Sequence, residues 1–457
     1  MIGNIKKLHF IGIGGVGMSA IAEVMLDKGY IISGSDLSES PVVQKLKAKG
    51  AKIYKGHKAE NIAGKEAIVY SSAIHPDNPE MTAAKAAGLK IYHRSDILAE
   101  LLNSQDGIAV AGAHGKTTTS SMISVVLEHA KVDPTIIIGG FVDYLGGNAK
   151  LGSSKYLVAE ADESDGSFLK FYPHIAVVTN IEDDHMDHYG SMENIIKAFV
   201  QFIQNLDPET GLAVLCFDNE NIRNIAAKTG RHYITYALDH AADYMAKNIH
   251  FDGTHTSFDV IYKGEDLGQV KLNLPGRHNV LNALATVAVC RRLGLSLAEI
   301  AAGLAVFGGT KRRFQTKYRD ENVWIVDDYA HHPTEIQTTI KAAEQTNPKR
   351  LIVAFQPHRY SRTKLLRSEF GSCFKGADLL ILTDIYAASE DPIPGITGRT
   401  IVDEVKAQTG VDAVYIEDMK DIAPWLKAHM QKGDLIITMG AGNIYTVGET
   451  LAEELRK

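Results

Sequence analysis

The sequence predicts an α/β protein of three domains: an N-terminal Rossmann-like domain, a central P-loop-type domain with a mainly parallel sheet, and a C-terminal Rossmann-like domain. Three observations predict it. Short apolar runs alternate with helical patterns along most of the chain, which is the signature of βαβ units. Two strand–helix junctions are rich in glycine, at residues 12–17 and 112–119. The length, 457 residues, corresponds to about three domains of ordinary size. Polar, turn-rich stretches near 103–107 and 301–310 place the domains at 1–104, 105–307 and 308–457.

The formal net charge of −7 argues against nucleic-acid binding as the main task, so anionic ligands need focused sites. Cys216, Cys290 and Cys373 are far apart and lack metal or redox spacing, which reads as buried thiols in a reducing cytoplasm. No run has transmembrane length, so membrane insertion is not expected. Lys6-Lys7 and the apolar run after them imitate a secretory signal, but Gly12, Gly14, Gly15 and Gly17 weaken any helix there.

In chain order, residues 8–13 read as a buried strand. Gly12-Ile13-Gly14-Gly15-Val16-Gly17 follows, then a helix from Met18 to Asp27 and a strand over 30–33. Asp36 comes next, where a Rossmann acid holds a ribose hydroxyl, or where an acid caps a helix. The unit points to a diphosphate-bearing nucleotide. Strand–helix alternation continues through 67–72 and 90–93.

The second domain opens on a strand over 107–110 and on Gly112-Ala113-His114-Gly115-Lys116-Thr117-Thr118-Thr119. Small residues bring backbone N–H groups to the phosphates, and the helix N-terminus adds positive charge. Lys116 suits the β/γ-phosphates and Thr117 suits Mg²⁺. The loop is tighter than a standard P-loop, because position 110 is Val. The strand 156–159 delivers Glu160, a candidate metal ligand, while Glu163 deeper in the same acidic run reads as solvated. The strand 175–179 leads to His185, a candidate ligand, and His188, expected to face solvent. Residues 210–274 read as strands and turns. A helix then opens at 276–283, with Asn279 and Asn282 three apart on one face; Asn279 also suits a cap.

The basic triplet Lys311-Arg312-Arg313 follows the second linker. The third domain offers strands at 323–326, 351–355, 378–383 and 434–439. Two strand ends carry unusual chemistry, Asp327-Asp328-Tyr329-Ala330-His331-His332-Pro333-Thr334 and His358-Arg359-Tyr360-Ser361-Arg362-Thr363. Arginines at that position suit capture of a carboxylate or phosphate.

Taken together, the 112–119 loop, Glu160-Ala161-Asp162-Glu163-Ser164, Thr179-Asn180-Ile181 with Asp184-His185, His278-Asn279-Val280-Leu281-Asn282, Arg313-Phe314 and Asp328–Pro333 resemble the Mur ligase family of cell-wall amide synthetases. The resemblance spans all three domains in order. It implies that Gly12, Gly14, Gly15, Val16, Gly17, Met18, Asp36, Ser71 and Ser72 bind a UDP-sugar. It implies ATP contacts from Gly112, Ala113, His114, Gly115, Lys116, Thr117, Thr118, His278, Asn279, Asn282, Arg313 and Asp328, and Mg²⁺ held by Thr117, Glu160 and His185. Tyr329, His331, Arg359 and Arg362 would recognise an amino acid. Lys116, Arg313 and His331 would be catalytic, with His331 the candidate general base.

Within the family, the complete Gly12–Gly17 loop and the 358–363 segment imply ATP-dependent joining of L-alanine to the lactyl carboxylate of UDP-N-acetylmuramate through an acyl phosphate. A monomer or homodimer in the cytoplasm is expected. Two alternatives stand: transfer of a preformed tripeptide to the same nucleotide sugar, and, from another class, an NAD(P)-dependent oxidoreductase built on Gly12–Gly17.

Overall fold

Three mainly parallel sheets carry the fold; the computed structural model describes residues 3–388 and 390–457. In the first sheet, β1 (Lys7–Ile11), β2 (Ile31–Asp36), β3 (Lys52–Lys55), β4 (Ala67–Tyr70) and β5 (Lys90–His93) stand in the order β3-β2-β1-β4-β5. All the neighbours are parallel. The order reverses between β1 and β4, and ligands of doubly wound sheets sit beyond the strand ends at such a point. Gly12 and Ser71 follow those two strands. The signal-like apolar run is core here, because Leu8, Phe10 and Ile11 are fully buried in the central strand.

The second sheet begins with β6 (Asp106–Ala111), β7 (Thr135–Val142), β8 (Gly147–Lys150) and β9 (Tyr156–Glu160). It continues with β10 (Ile175–Val178), β11 (Leu212–Cys216) and β12 (Tyr233–Ala237). Their order is β12-β11-β10-β6-β9-β7-β8, parallel except for the β7–β8 edge. β10 and β11, and β6 after Asp106, are continuous apolar runs, as strands covered on both faces must be. β13 (Tyr244–Asp252), β14 (His255–Tyr262) and β15 (Glu265–Leu272) follow in the chain, then the helix Arg277–Arg292.

The third sheet has the order β16-β17-β21-β18-β19-β20. Its strands are β16 (Gln315–Arg319), β17 (Val323–Asp328), β18 (Arg350–Phe355), β19 (Leu379–Leu382), β20 (Asp412–Tyr415) and β21 (Asp434–Met439). Only the β16 edge is antiparallel. Hydrophobic clusters cover both faces, one around Phe355, Phe370 and Phe374, the other around Ile325, Ile352 and Leu451. By compactness the chain divides into two units, Met1–Lys247 with Asp259–Val270 and Leu281–Phe307, and Asn248–Phe258 with Lys271–Val280 and Gly308–Lys457.

The structure corrects the sequence reading in places. The 210–274 region is not only strands and turns, because Asn219 caps a helix, Glu220–Ala226. The proposed linker 301–310 starts inside the helix Leu297–Ala305. Ser296 and Glu299 form a reciprocal capping box there. Gly303 is no breaker: a Cβ at that position would lie 2.7 Å from Val126 Cα, so glycine lets two helices approach. β16 and β20 escaped prediction because they are short and carry charged residues. All three cysteines are free and buried, as expected.

Candidate active site

The central loop is built at the carboxyl end of β6. Gly112 has φ +134°, and a Cβ there would collide with Thr179 Oγ1 and sit 3.0 Å from Asn180 N. No larger residue fits. Thr179 and Asn180, which leave β10, clamp the loop from its other side. Asn180 Nδ2 donates to His114 O at 2.9 Å, and His114 N donates to Asn180 Oδ1 at 2.8 Å. His114 Nε2 lies 3.1 Å from Glu182 Oε2. Asn282, predicted to face ATP, accepts from Thr119 Oγ1 at 3.1 Å.

Lys116 is the first residue of the helix Lys116–His129. Its ammonium donates to Gly112 O at 2.5 Å and to Glu163 Oε1 at 2.7 Å. Burial pushes that ammonium down, but Glu163, helped by Asp162 and Glu160, outweighs burial and holds it above the ordinary lysine value. Glu163 is therefore not the solvated acid predicted from its place in an acidic run. Only 3% of it is exposed, and burial raises its carboxyl despite Lys116. Its backbone carbonyl accepts from Tyr189 Oη at 2.5 Å.

Glu160 ends β9 and accepts Thr117 Oγ1 at 3.1 Å and Gly139 N at 2.5 Å. His185 has left-handed backbone, φ +59°, a conformation of the kind that clusters at functional sites. Its Nε2 is 3.7 Å from Glu163 Oε1 and 3.5 Å from Asp184 Oδ2. His188 is exposed, as predicted. Among the described residues no three His, Cys, Asp or Glu side chains form a complete metal cage. The donors nevertheless fit Mg²⁺. Thr117 and Glu160 offer hard oxygens, and the buried Glu163 Oε2 has no hydrogen-bond partner. A Mg²⁺ ion ordinarily completes its shell with phosphate oxygens and water.

At the first sheet's switch point, Gly14 N donates to Asp36 Oδ2 at 2.8 Å. Asp36 caps no helix, since Ser40 does that for Pro41–Ala48. The Ser71–Ile74 turn lies alongside: a Cβ on Gly12 would be 3.2 Å from Ile74 Cδ1.

In the second compact unit, Asp328 ends β17 and is buried. Its carboxylate accepts Phe314 N at 2.7 Å and Ala330 N at 2.8 Å. Burial pushes it up to about 6, against the pull of Arg313. Arg312 is structural: it pairs with Asp327 and its guanidinium lies over the rings of Tyr329 and Tyr445. Arg313 reaches Glu335 at 3.7 Å and faces the Tyr329 ring. His278 is pushed down to about 4 by burial and then by Arg313. Asn279 Nδ2 donates to Pro275 O at 2.7 Å.

His331 Nδ1 lies 3.0 Å from Tyr329 O. A carbonyl only accepts, so Nδ1 carries the proton and Nε2 keeps its lone pair. Burial lowers this imidazole to about 4. The His331 ring meets His358 edge-on, and Arg362 touches His358 at 3.3 Å. Arg359 starts the helix Tyr360–Leu365 with φ +72°.

Thus the structure groups the predicted residues into three clusters. The first is Gly12–Met18 with Asp36, the second Gly112–Thr118 with Glu160, His185 and Asn282, and the third Arg313 with His278, Asp328, Tyr329, His331 and Arg362. Sequence reasoning missed Glu163 and Glu335. Glu335, four residues after His331 and opposite His332 in a capping box, had a readable signal.

Comparison with known proteins gives the same picture. Residues 7–106 match the model of the Mur ligase family catalytic domain, 110–290 the Mur ligase middle domain, and 312–442 the Mur ligase glutamate ligase domain. The chain is 50% identical over its whole length to UDP-N-acetylmuramate–L-alanine ligase of Trichlorobacter lovleyi, all of which it covers. It is also 50% identical to that of Geotalea uraniireducens, covering 99% of that protein. The crystal structure of UDP-N-acetylmuramate-alanine ligase MurC from Thermotoga maritima superposes with a TM-score of 0.85 at 30% identity, over 98% of this chain and 99% of that one. A murein peptide ligase from Psychrobacter arcticus shares the fold at a TM-score of 0.72 and 24% identity, over 98% of both chains. With all three sheets and both glycine loops accounted for by one set of relatives, the chain belongs to the Mur ligase family.

Proposed function

We propose that this chain joins L-alanine to the lactyl carboxylate of UDP-N-acetylmuramate, converting ATP to ADP and phosphate, in the cytoplasm. The observation that carries the reading is half-identity, end to end, to ligases of that name, together with a central loop whose lysine sits beside Thr117 and Glu160. Domains at 1–104, 105–307 and 308–457 divide the work into nucleotide sugar, ATP and amino acid.

A carboxylate is a poor electrophile, so it must first be activated. A lactyl carboxylate oxygen attacks the γ-phosphorus of ATP. The bond to the bridging oxygen breaks, and ADP leaves with the electron pair. Lys116 donates to the transferring group, and the backbone amides of Gly112–Thr118 cradle the phosphates. Thr117, Glu160 and His185 would hold Mg²⁺, which would supply charge compensation for the phosphates. The neutral amine of L-alanine then attacks the acyl carbon and phosphate departs. His331 Nε2, with its free lone pair, takes the proton released by the amine. Arg359 and Arg362 hold the L-alanine carboxylate beside Tyr329. His278, Asn279, Asn282, Arg313 and Asp328 take the ATP roles implied by the resemblance, and Gly12–Met18, Asp36, Ser71 and Ser72 hold the UDP-sugar. Among the described residues, no helix is long and apolar enough to cross a membrane.

The test is ADP release measured with each substrate omitted in turn. Release that requires UDP-N-acetylmuramate and L-alanine together, with the amide product seen by mass, supports the reading. Efficient use of a preformed tripeptide with no L-alanine activity overturns it, as does nicotinamide turnover without ATP hydrolysis. Glycine and L-serine complete the acceptor panel.

A further inference from the structure

The first domain buries a charged network that the reaction does not use. Glu80, on the helix Pro79–Ala86, is fully buried. Its Oε2 accepts Ser35 Oγ at 2.5 Å and its Oε1 accepts Asn61 Nδ2 at 2.6 Å. His57 Nδ1 lies 3.3 Å from Oε2, and His9 Nε2 lies 3.5 Å from Oε1. Burial raises the Glu80 carboxyl, but His9, Ser35 and Asn61 outweigh burial and hold it down to about 2, so it is charged at neutral pH. Burying a charge in a sheet-facing helix is costly, and apolar residues fill such space more cheaply.

The network ends on β2, the strand beside the one that carries the glycine loop. In β2, Ser35 lies opposite Ile11, the last residue of β1 before the loop. The Ser35 carbonyl accepts Gly12 N at 2.9 Å and Ile13 N at 3.1 Å. The adjacent Asp36 accepts Gly14 N at 2.8 Å. Two consecutive residues of β2 therefore fix three consecutive amides of the loop.

We infer that Glu80 is a positioning residue for the Gly12–Gly17 loop: by holding the Ser35 side chain it fixes the Ser35 carbonyl and the Asp36 carboxylate, and so presets the cradle for the diphosphate of a nucleotide sugar. The inference rests on the proposed function, which gives that loop its ligand.

The test uses full-length Glu80→Gln and Ser35→Ala variants and their double variant. UDP-N-acetylmuramate and a non-hydrolysable ATP analogue are titrated calorimetrically, with KM and kcat alongside. Each single variant should weaken UDP-N-acetylmuramate by about tenfold and raise its KM alike. The ATP-analogue Kd and the saturated kcat should stay within about twofold, and the double variant should be no worse than Glu80→Gln, since both residues act through one link. Unchanged UDP-sugar affinity overturns the inference. So does parallel loss of both ligands, which marks general loosening, and so does additivity. If Glu80→Gln does not fold, Ser35→Ala, which removes one hydroxyl, decides alone. A parent protein that fails to bind UDP-N-acetylmuramate sinks the proposed function and this inference with it; a parent that binds, with unchanged variants, sinks the positioning role only.

Discussion

Lys116 Nζ and Glu163 Oε1 stand 2.7 Å apart, with 18% and 4% of their side chains exposed, so the loop's lysine is paired to a buried acid. Replacing Lys116 by Ala removes the donor to the transferring phosphoryl group and leaves Glu163 uncompensated. ADP formation should fall by ~10²–10³-fold or more, and stability by about 3–5 kcal/mol unless Glu163 takes up a proton. UDP-sugar affinity should survive. The double variant Lys116→Met with Glu163→Gln should regain most of the stability and none of the activity. Denaturant melts and an ADP assay on the same samples separate the two effects; a double variant as unstable as Lys116→Ala would show that the loss does not come from an uncompensated Glu163.

Gly112 tests the clamp on the other side of the loop. Its φ of +134° disfavours any side chain, and a Cβ would collide with the Thr179 hydroxyl. Gly112→Ala should cost about 1–3 kcal/mol and weaken an ATP analogue by about tenfold. The UDP-sugar should bind as before, because Gly12–Gly17 belongs to another sheet. Retained ATP affinity in calorimetry would show that the loop tolerates an ordinary residue.

The second compact unit should respond to acid in a defined window. His278, His331 and His358 are each held near 4 by burial, against an ordinary value of about 6.5. Between those values the unfolded chain binds protons that the folded chain refuses. Their stabilising effect is complete above about 6.5 and is lost as pH falls toward 4, at about 1.4 kcal/mol per pH unit per proton. Asp328 works the other way: pushed up to about 6, its folded carboxyl takes a proton first and cancels roughly one of the three. Urea melts at successive pH values should therefore show a net uptake of about two protons on unfolding near pH 5, reduced in His358→Gln. A flat stability between pH 7 and 5 would contradict the half-buried, neutral imidazoles.

The parts of the site that sequence revealed are those where local chemistry demands a residue type. Gly112 and Gly115 need left-handed backbone, and Asp36 leaves a strand beside a glycine loop; both signals lie within a few positions. Glu163 was misread because its burial depends on Lys116, 47 residues away; an acid in an acidic run looks solvated until its cation is placed. His358 stands against His331 only because β17 and β18 both pair with β21. The helix Leu297–Ala305 was legible and was missed. Ser296 and Glu299 announced it, but Gly308-Gly309 nearby made the region look like a linker.

Arg94 joins the first glycine loop to the acidic loop of the central sheet. Its Nη2 meets Asp162 Oδ2 at 2.6 Å, and its Nη1 lies 3.1 Å from where a Cβ on Gly17 would be. Asp162, between Glu160 and Glu163 in the sequence, is held down to about 2; burial opposes this, and Arg94 and Lys116 outweigh it. Removing Arg94 should cost about 1–3 kcal/mol. The same geometry predicts how Gly17→Ala behaves. Gly17 is inside the helix Val16–Asp27, where alanine is intrinsically better by up to about 1 kcal/mol. In the parent, the new methyl group must displace the guanidinium and disturb the Asp162 pair, so the gain should be cancelled or reversed. In the Arg94→Ala background nothing opposes the methyl group, and Gly17→Ala should stabilise. Thermal melts of the four proteins form a double-mutant cycle whose coupling term should be nonzero. Simple additivity would mean that Arg94 does not press on the glycine loop.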